Sequence, residues 1–260
     1  TITENNKSIQ KYMPNGASSG YEIIKKWNLF KRIPEEIDLL RNNLLKGIKS
    51  PNGKMDLVIG SEVTGIAVHE SVGHPYEVDR ILGREAAQAG ESFVNLEMLN
   101  TKIGSNVVNV VEDPTLENSF GFYLYDDEGV KARKKYLIKK GMINELLHNR
   151  ETAFELKSKS NGCSRANNYD VEPLIRMSNT YVEAGDSSEE EIIKETKKGI
   201  YMKSYMQWNI DDKIFHQRYT GSEAYLVENG KLTKPVFAPV MEVTTPTLWS
   251  SFDMIGNKIE

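Results

Sequence analysis

The stretch Glu228-Asn229-Gly230, set between Ala224-Tyr225-Leu226-Val227 and Lys231-Leu232-Thr233, constrains this chain most, because it forces two strands to run antiparallel. Asn-Gly supplies the positive φ angles a tight turn needs, and the flanking apolar and β-branched residues supply the strands. A second hairpin is expected from Tyr136-Leu137-Ile138 to Met142-Ile143, around Lys139-Lys140-Gly141. Further strands are expected over 107–111 and 120–125, where β-branched and aromatic residues concentrate. Between the hairpins, 186–198 reads as a helix, with Ser187 and Glu190 in capping-box relation and Gly199 as its stop.

Upstream, Pro34 at a first-turn position precedes Ile37, Leu39, Leu40, Leu44, Leu45 and Ile48 near helical spacing, ending at Gly47 and the Pro51-Asn52-Gly53 turn. The polar first ten residues and the turn formers of 14–20 predict little order. Met55-Asp56-Leu57-Val58-Ile59-Gly60 reads as a short buried strand, and 61–74 as a helix with Val63, Ile66 and Ala67 on its apolar side. The expected fold is therefore α+β: an antiparallel-sheet-rich domain with a motif-bearing helix and a few packed helices. Residues 1–50 form a mostly helical segment, and 51–260 the sheet-rich body. Because Thr1 stands where a methionine normally starts translation, the segment 1–50 is expected to lead from a missing or trimmed N-terminal domain.

Composition narrows the class. With 260 residues and 39% hydrophobic content the chain can bury a substantial core. A net charge of -4 and the lack of a basic run argue against nucleic-acid or membrane-surface binding. One cysteine, Cys163, excludes an intrachain disulfide and suits a reducing compartment, and no apolar run is long enough for a bilayer, so a cytoplasmic location is expected.

The helix expected over 61–74 closes on His69-Glu70-Ser71-Val72-Gly73-His74. Two imidazoles and a carboxylate at this density point to metal-assisted hydrolysis, imidazole nitrogen being a good zinc ligand and a carboxylate a ready proton acceptor. The spacing is five, not the four of H-E-x-x-H, and on a regular helix it separates the histidines by roughly 140° instead of roughly 40°. One ion is shared only if the helix expands by a residue, as in a π-bulge, which Gly73 would permit. A chance pairing of two of the four histidines remains the alternative on spacing alone.

The run Val68-His69-Glu70-Ser71-Val72-Gly73-His74-Pro75-Tyr76-Glu77-Val78-Asp79-Arg80 resembles the signature of the TldD/PmbA family, whose TldD-type members carry H-E-x-x-x-H. Asp126-Asp127-Glu128-Gly129-Val130 resembles its acidic turn, Arg176-Met177-Ser178-Asn179-Thr180-Tyr181 its R-M-x-N-T segment, and Ser222-Glu223-Ala224-Tyr225-Leu226-Val227-Glu228-Asn229-Gly230-Lys231 its late hairpin. The resemblance spans roughly 55–256. It implies a zinc-dependent metallopeptidase subunit that cleaves unfolded or flexible peptides bound as an added β-strand. His69 and His74 would be the zinc ligands and Glu70 the general base. It also implies a PmbA-type partner subunit without the metal motif, or self-association.

One departure bears on the metal. The family's third ligand is a cysteine in a G-x-C-G segment downstream of the stretch resembling Met254-Ile255-Gly256-Asn257, and the sequence ends at Glu260 without it. A body lacking its C-terminal tail is the expectation, with zinc weakly held or absent, since two imidazoles leave a catalytic zinc one protein ligand short. Cys163, in Ser160-Asn161-Gly162-Cys163-Ser164-Arg165, matches a different family segment and is not expected to replace it. A non-catalytic peptide-binding or assembly subunit of the same complex is the alternative.

Other residues are weighed on chemistry. Glu77, three after His74, would orient that imidazole, act as a ligand or pair with Arg80. Arg176 and Asn179 are candidate peptide contacts, an arginine for a carboxylate and an asparagine for strand backbone, against a purely structural strand and turn. His148 and His216 read as surface or packed histidines, and Asp126-Asp127-Glu128 as a solvated turn, not a second cation site.

Overall fold

Glu228 and Lys231 pair across Asn229 and Gly230, whose φ angles of 51° and 75° are those the tight turn demands. This computed structural model describes residues 1–85 and 90–259. Ala224–Glu228 and Lys231–Phe237 lie within a five-stranded sheet of spatial order Ile48–Lys49, Lys231–Phe237, Ala224–Glu228, Lys198–Met202, Asp56–Ile59. Its inner pairings are antiparallel and its two outermost parallel. The second expected hairpin forms from Lys135–Lys139 and Met142–Ile143 across Lys140 and Gly141, with φ of 50° and 76°. It belongs to a four-stranded sheet with Val110–Glu112 and Thr180–Val182. Tyr205–Ile210, His216–Gly221 and Val240–Thr244 make a third, antiparallel sheet. The architecture is the expected α+β, with few helices.

The main core gathers around the helix Ser61–Val68 and its continuation. Val63, Ala67, Val68 and Val72 are buried with Val110, Leu137, Ile138, Tyr219 and Trp249, so residues from the helix, two sheets and the last helix, Thr245–Ser250, share one apolar interior. A smaller cluster joins Leu40 and Leu44 of the helix Leu29–Lys46 to Ile9. Burying each leucine contributes about 1.5–3 kcal/mol, and the Asn43 side-chain carbonyl accepts the Ala224 amide at 3.0 Å. Residues before 50 are thereby tied to the five-stranded sheet.

Several local expectations are corrected. Residues 2–9 form a short hairpin, Ile2–Glu4 with Lys7–Ile9, anchored by the buried Ile9. Pro34 lies inside Leu29–Lys46, beyond the first turn, because the helix starts immediately after Asn28 adopts a left-handed φ of 49°. The helix expected over 186–198 is Glu189–Glu195, capped by Ser188 and Glu191 instead of Ser187 and Glu190. Ser187 is held extended by backbone bonds with Ile255 and Asn257. Gly199 does not stop that helix; it sits in Lys198–Met202, where a side chain would strike the Asp56 carbonyl. The strand expected over 107–111 is confined to Val110–Glu112. Residues 120–125 form no strand, since the Gly121 amide is bonded to Asn179 and the Tyr123 amide to Pro114, which fold the segment into turns.

Among the described residues, no helix is long and apolar enough to cross a membrane.

Candidate metal centre

The strand Asp56–Ile59 aims the motif. Gly60 follows it, donating its amide to the Met202 carbonyl at 2.9 Å in a space where a Cβ would press on the Lys203 backbone. The helix Ser61–Val68 begins directly after, so its direction is set by the sheet. At His69–Gly73 the helix widens into a π turn, and the His74 amide donates to the His69 carbonyl, five residues back. The extra residue brings the histidines to one side: their rings lie 4.7 Å apart between centroids, edge to face at 82°. One ligand atom each from His69, Glu70 and His74 falls within 4.8 Å of the other two. Gly73 is needed for a reason other than unusual dihedrals. Its φ of -53° is ordinary, but a Cβ there would overlap the thioether of the buried Met177.

Electrostatics favour neutral imidazole. Burial, then the proximity of His74, pushes the pKa of His69 down to about 4. The carboxylate of the fully buried Glu77 lies 3.1 Å from His74 Nδ1, so a proton on Nδ1 is donated to it and Nε2 is left as the ligand atom. Glu77 also accepts from Arg80 Nε at 2.5 Å and the Met177 amide at 3.3 Å. Orientation of the imidazole and the ion pair with Arg80 thus coexist on one carboxylate.

Glu70 is 7% exposed, and burial raises its pKa. Its Oε1 accepts from Trp208 Nε1 at 3.0 Å. The neighbouring Ser71 donates to the Ala67 carbonyl at 2.5 Å and accepts from Trp249 Nε1 at 2.9 Å.

Arg176 and Asn179 are not among the residues that converge with His69, Glu70 and His74. Arg176 grips both oxygens of Glu85 at 2.8 and 2.9 Å and lies 3.7 Å from Glu77, supporting the carboxylate behind His74. Asn179 donates to the Asp113 carbonyl and the Ser119 hydroxyl, both at 2.8 Å, and so ties down residues 113–121. Cys163 is buried in the apolar core, where burial pushes its thiol pKa up to about 12. His148 bonds Thr152 at 3.2 Å, and His216 packs on Phe215. Asp126 accepts the amides of Glu128, Val130 and Ser164, so backbone occupies the oxygens a cation would need. Trp208 and Trp249 are the site residues that sequence reasoning missed; their partners lie 138 and 178 positions away, and no local pattern marks them.

Residues 52–260 match the model of the PmbA/TldA metallopeptidase C-terminal domain. A metalloprotease of Methanocaldococcus jannaschii is 35% identical over 233 residues, covering 90% of this chain and 49% of that protein. A zinc metalloprotease TldD homolog of Saccharolobus solfataricus is 31% identical over 215 residues, covering 82% of this chain and 46% of that protein. The chain thus spans about half the length of these relatives. TldE from Thermococcus kodakarensis superposes with a TM-score of 0.67 at 21% identity, over 81% of this chain and 46% of that one, a likeness of fold.

Proposed function

This chain belongs to the TldD/PmbA metallopeptidase family, and on that premise we propose that it is a zinc-dependent peptidase subunit acting on unfolded or flexible peptides. The observation that carries the reading is the π turn, which gathers His69, Glu70 and His74 within 4.8 Å. Two imidazole nitrogens with an adjacent carboxylate are a donor set suited to zinc. His69 and His74 are the ligands, with Glu77 and Arg80 fixing the ring of His74 from behind. Zinc, when bound, supplies a Lewis acid that polarises the scissile carbonyl and lowers the pKa of water. Glu70 takes the proton of the attacking water and passes it to the leaving amine.

The substrate is an extended peptide. Tyr205–Ile210 is an edge strand of the third sheet, and Trp208 of that strand touches Glu70. A peptide added to this edge is held mainly through its backbone, which tolerates varied side chains. The same reading places Arg176 and Asn179 in structural support of the site, and gives the subunit a PmbA-type partner or a second copy of itself, in the cytoplasm.

Substituting Glu70→Gln tests the assignment. The variant is expected to hold zinc at the parent's stoichiometry by elemental analysis and to release no new amino termini from unstructured peptides. Undiminished cleavage rules out Glu70 as the base. Loss of zinc instead makes Glu70 the third ligand, a reading favoured by how near its carboxylate lies to both imidazoles.

A further inference from the structure

Two of the three tryptophans donate their indole N–H to consecutive residues of the π turn, Trp208 to Glu70 and Trp249 to Ser71. The two differ in surroundings. Trp249 is fully buried, stacks on Phe252 at 5.3 Å and joins the core, so packing alone accounts for its position. Trp208 is 45% exposed and rests edge to face against Tyr205 at 5.6 Å on an edge strand. It lies outside the buried apolar core. Its one described polar bond runs to a carboxylate that is itself almost wholly buried.

We propose that Trp208 is a positioning residue for Glu70, and that peptide binding tightens its grip. The proposal rests on the proposed peptidase reading. A carboxylate carried by a side chain with three rotatable torsions loses aim unless something holds it, and a donor on one oxygen fixes the plane of the group. With Oε1 held by the indole, Oε2 is left for the water proton; among the described residues it accepts no hydrogen bond. Peptide added to Tyr205–Ile210 covers the exposed part of Trp208, excludes water from the Trp208–Glu70 bond and strengthens it. The sheet edge that binds substrate thereby also sets the base, through the same strand.

The test uses the intact protein with nitrogen-15 in its tryptophans, which shows three indole N–H signals. Substituting Trp208→Phe identifies the Trp208 signal by its loss. In the metal-free protein, Glu70→Ala is expected to move that signal and leave those of Trp27 and Trp249 in place. In the zinc-loaded enzyme, Trp208→Phe is expected to lower kcat about tenfold, the effect of one hydrogen bond to a charged group, with zinc content unchanged and KM raised, since a bond that peptide strengthens must in turn help to hold peptide. Trp208→Gln, which keeps an N–H donor, restores part of kcat. A Trp208 signal unmoved by Glu70→Ala overturns the proposal, as does equal loss in the Phe and Gln variants, which would assign Trp208 to packing. A parent enzyme that cleaves nothing would instead defeat the peptidase reading, and the shift of the indole signal would still decide whether the bond exists.

Discussion

Gly73 shows how one position carries the motif's geometry. Its dihedrals are available to any residue; its bare Cα is what lets Met177 pack against the π turn. Gly73→Ala is expected to destabilise the protein by about 1–3 kcal/mol, the usual cost of overpacking a filled core. Combining it with Met177→Ala should cost less than the two single changes added, because the second removes the atom the new methyl strikes. Chemical denaturation of the three variants measures this; strict additivity would mean that the two residues are not in contact. At this scale much was legible. The five-residue spacing of His69 and His74 called for an expanded turn if the two share an ion, and the three-residue spacing of Glu77 put it beside His74. Trp208 was not legible, because no local periodicity reports a contact made across 138 positions.

At the scale of elements, turn chemistry transferred from sequence to structure better than segment composition did. Asn229-Gly230 and Lys140-Gly141 take the positive φ values their hairpins need, a constraint satisfied by the turn alone. The aromatic run over 120–125 met every compositional test for a strand and is not one, since neighbouring loops capture its amides. The helix Glu189–Glu195 lies between these cases. Both Ser187 and Ser188 stand three residues before a glutamate, so sequence offers two capping boxes, and the bonds of Ser187 to Ile255 and Asn257 decide for Ser188. Ser188→Ala is therefore expected to cost about 1 kcal/mol, and Ser187→Ala much less. Thermal melts of the two variants distinguish them, and equal losses would contradict the observed cap.

At the scale of the whole molecule, a buried ionic network couples the segment that carries His69 and His74 to distant chain. Asp79 accepts the Ile175 amide at 3.2 Å, and Arg176 reaches Glu77, Asp79 and Glu85. Burial, with Glu77 and Glu85 close by, pushes the pKa of Asp79 up to about 7. Folded Asp79 therefore keeps its proton where unfolded Asp79 has lost it. Between its ordinary value of about 4 and about 7, the native state binds more protons, so stability falls as pH rises through that window and levels off above it. Asp79→Asn, which keeps an acceptor for the Ile175 amide, should flatten this slope. Urea midpoints measured from pH 4 to pH 8 test it, and an unchanged slope would place the titration elsewhere.

The distances along the chain between the motif and its indole partners also bear on the order of manufacture. A ribosome delivers His69, Glu70 and His74 before Trp208 and Trp249 exist to hold them, and the sheet neighbour of the strand that aims them, Lys198–Met202, is also still to come. Contacts this far apart in sequence carry a high loop-closure entropy and slow folding. A nascent chain thus carries His69, Glu70 and His74 well before it can organise them into one cluster.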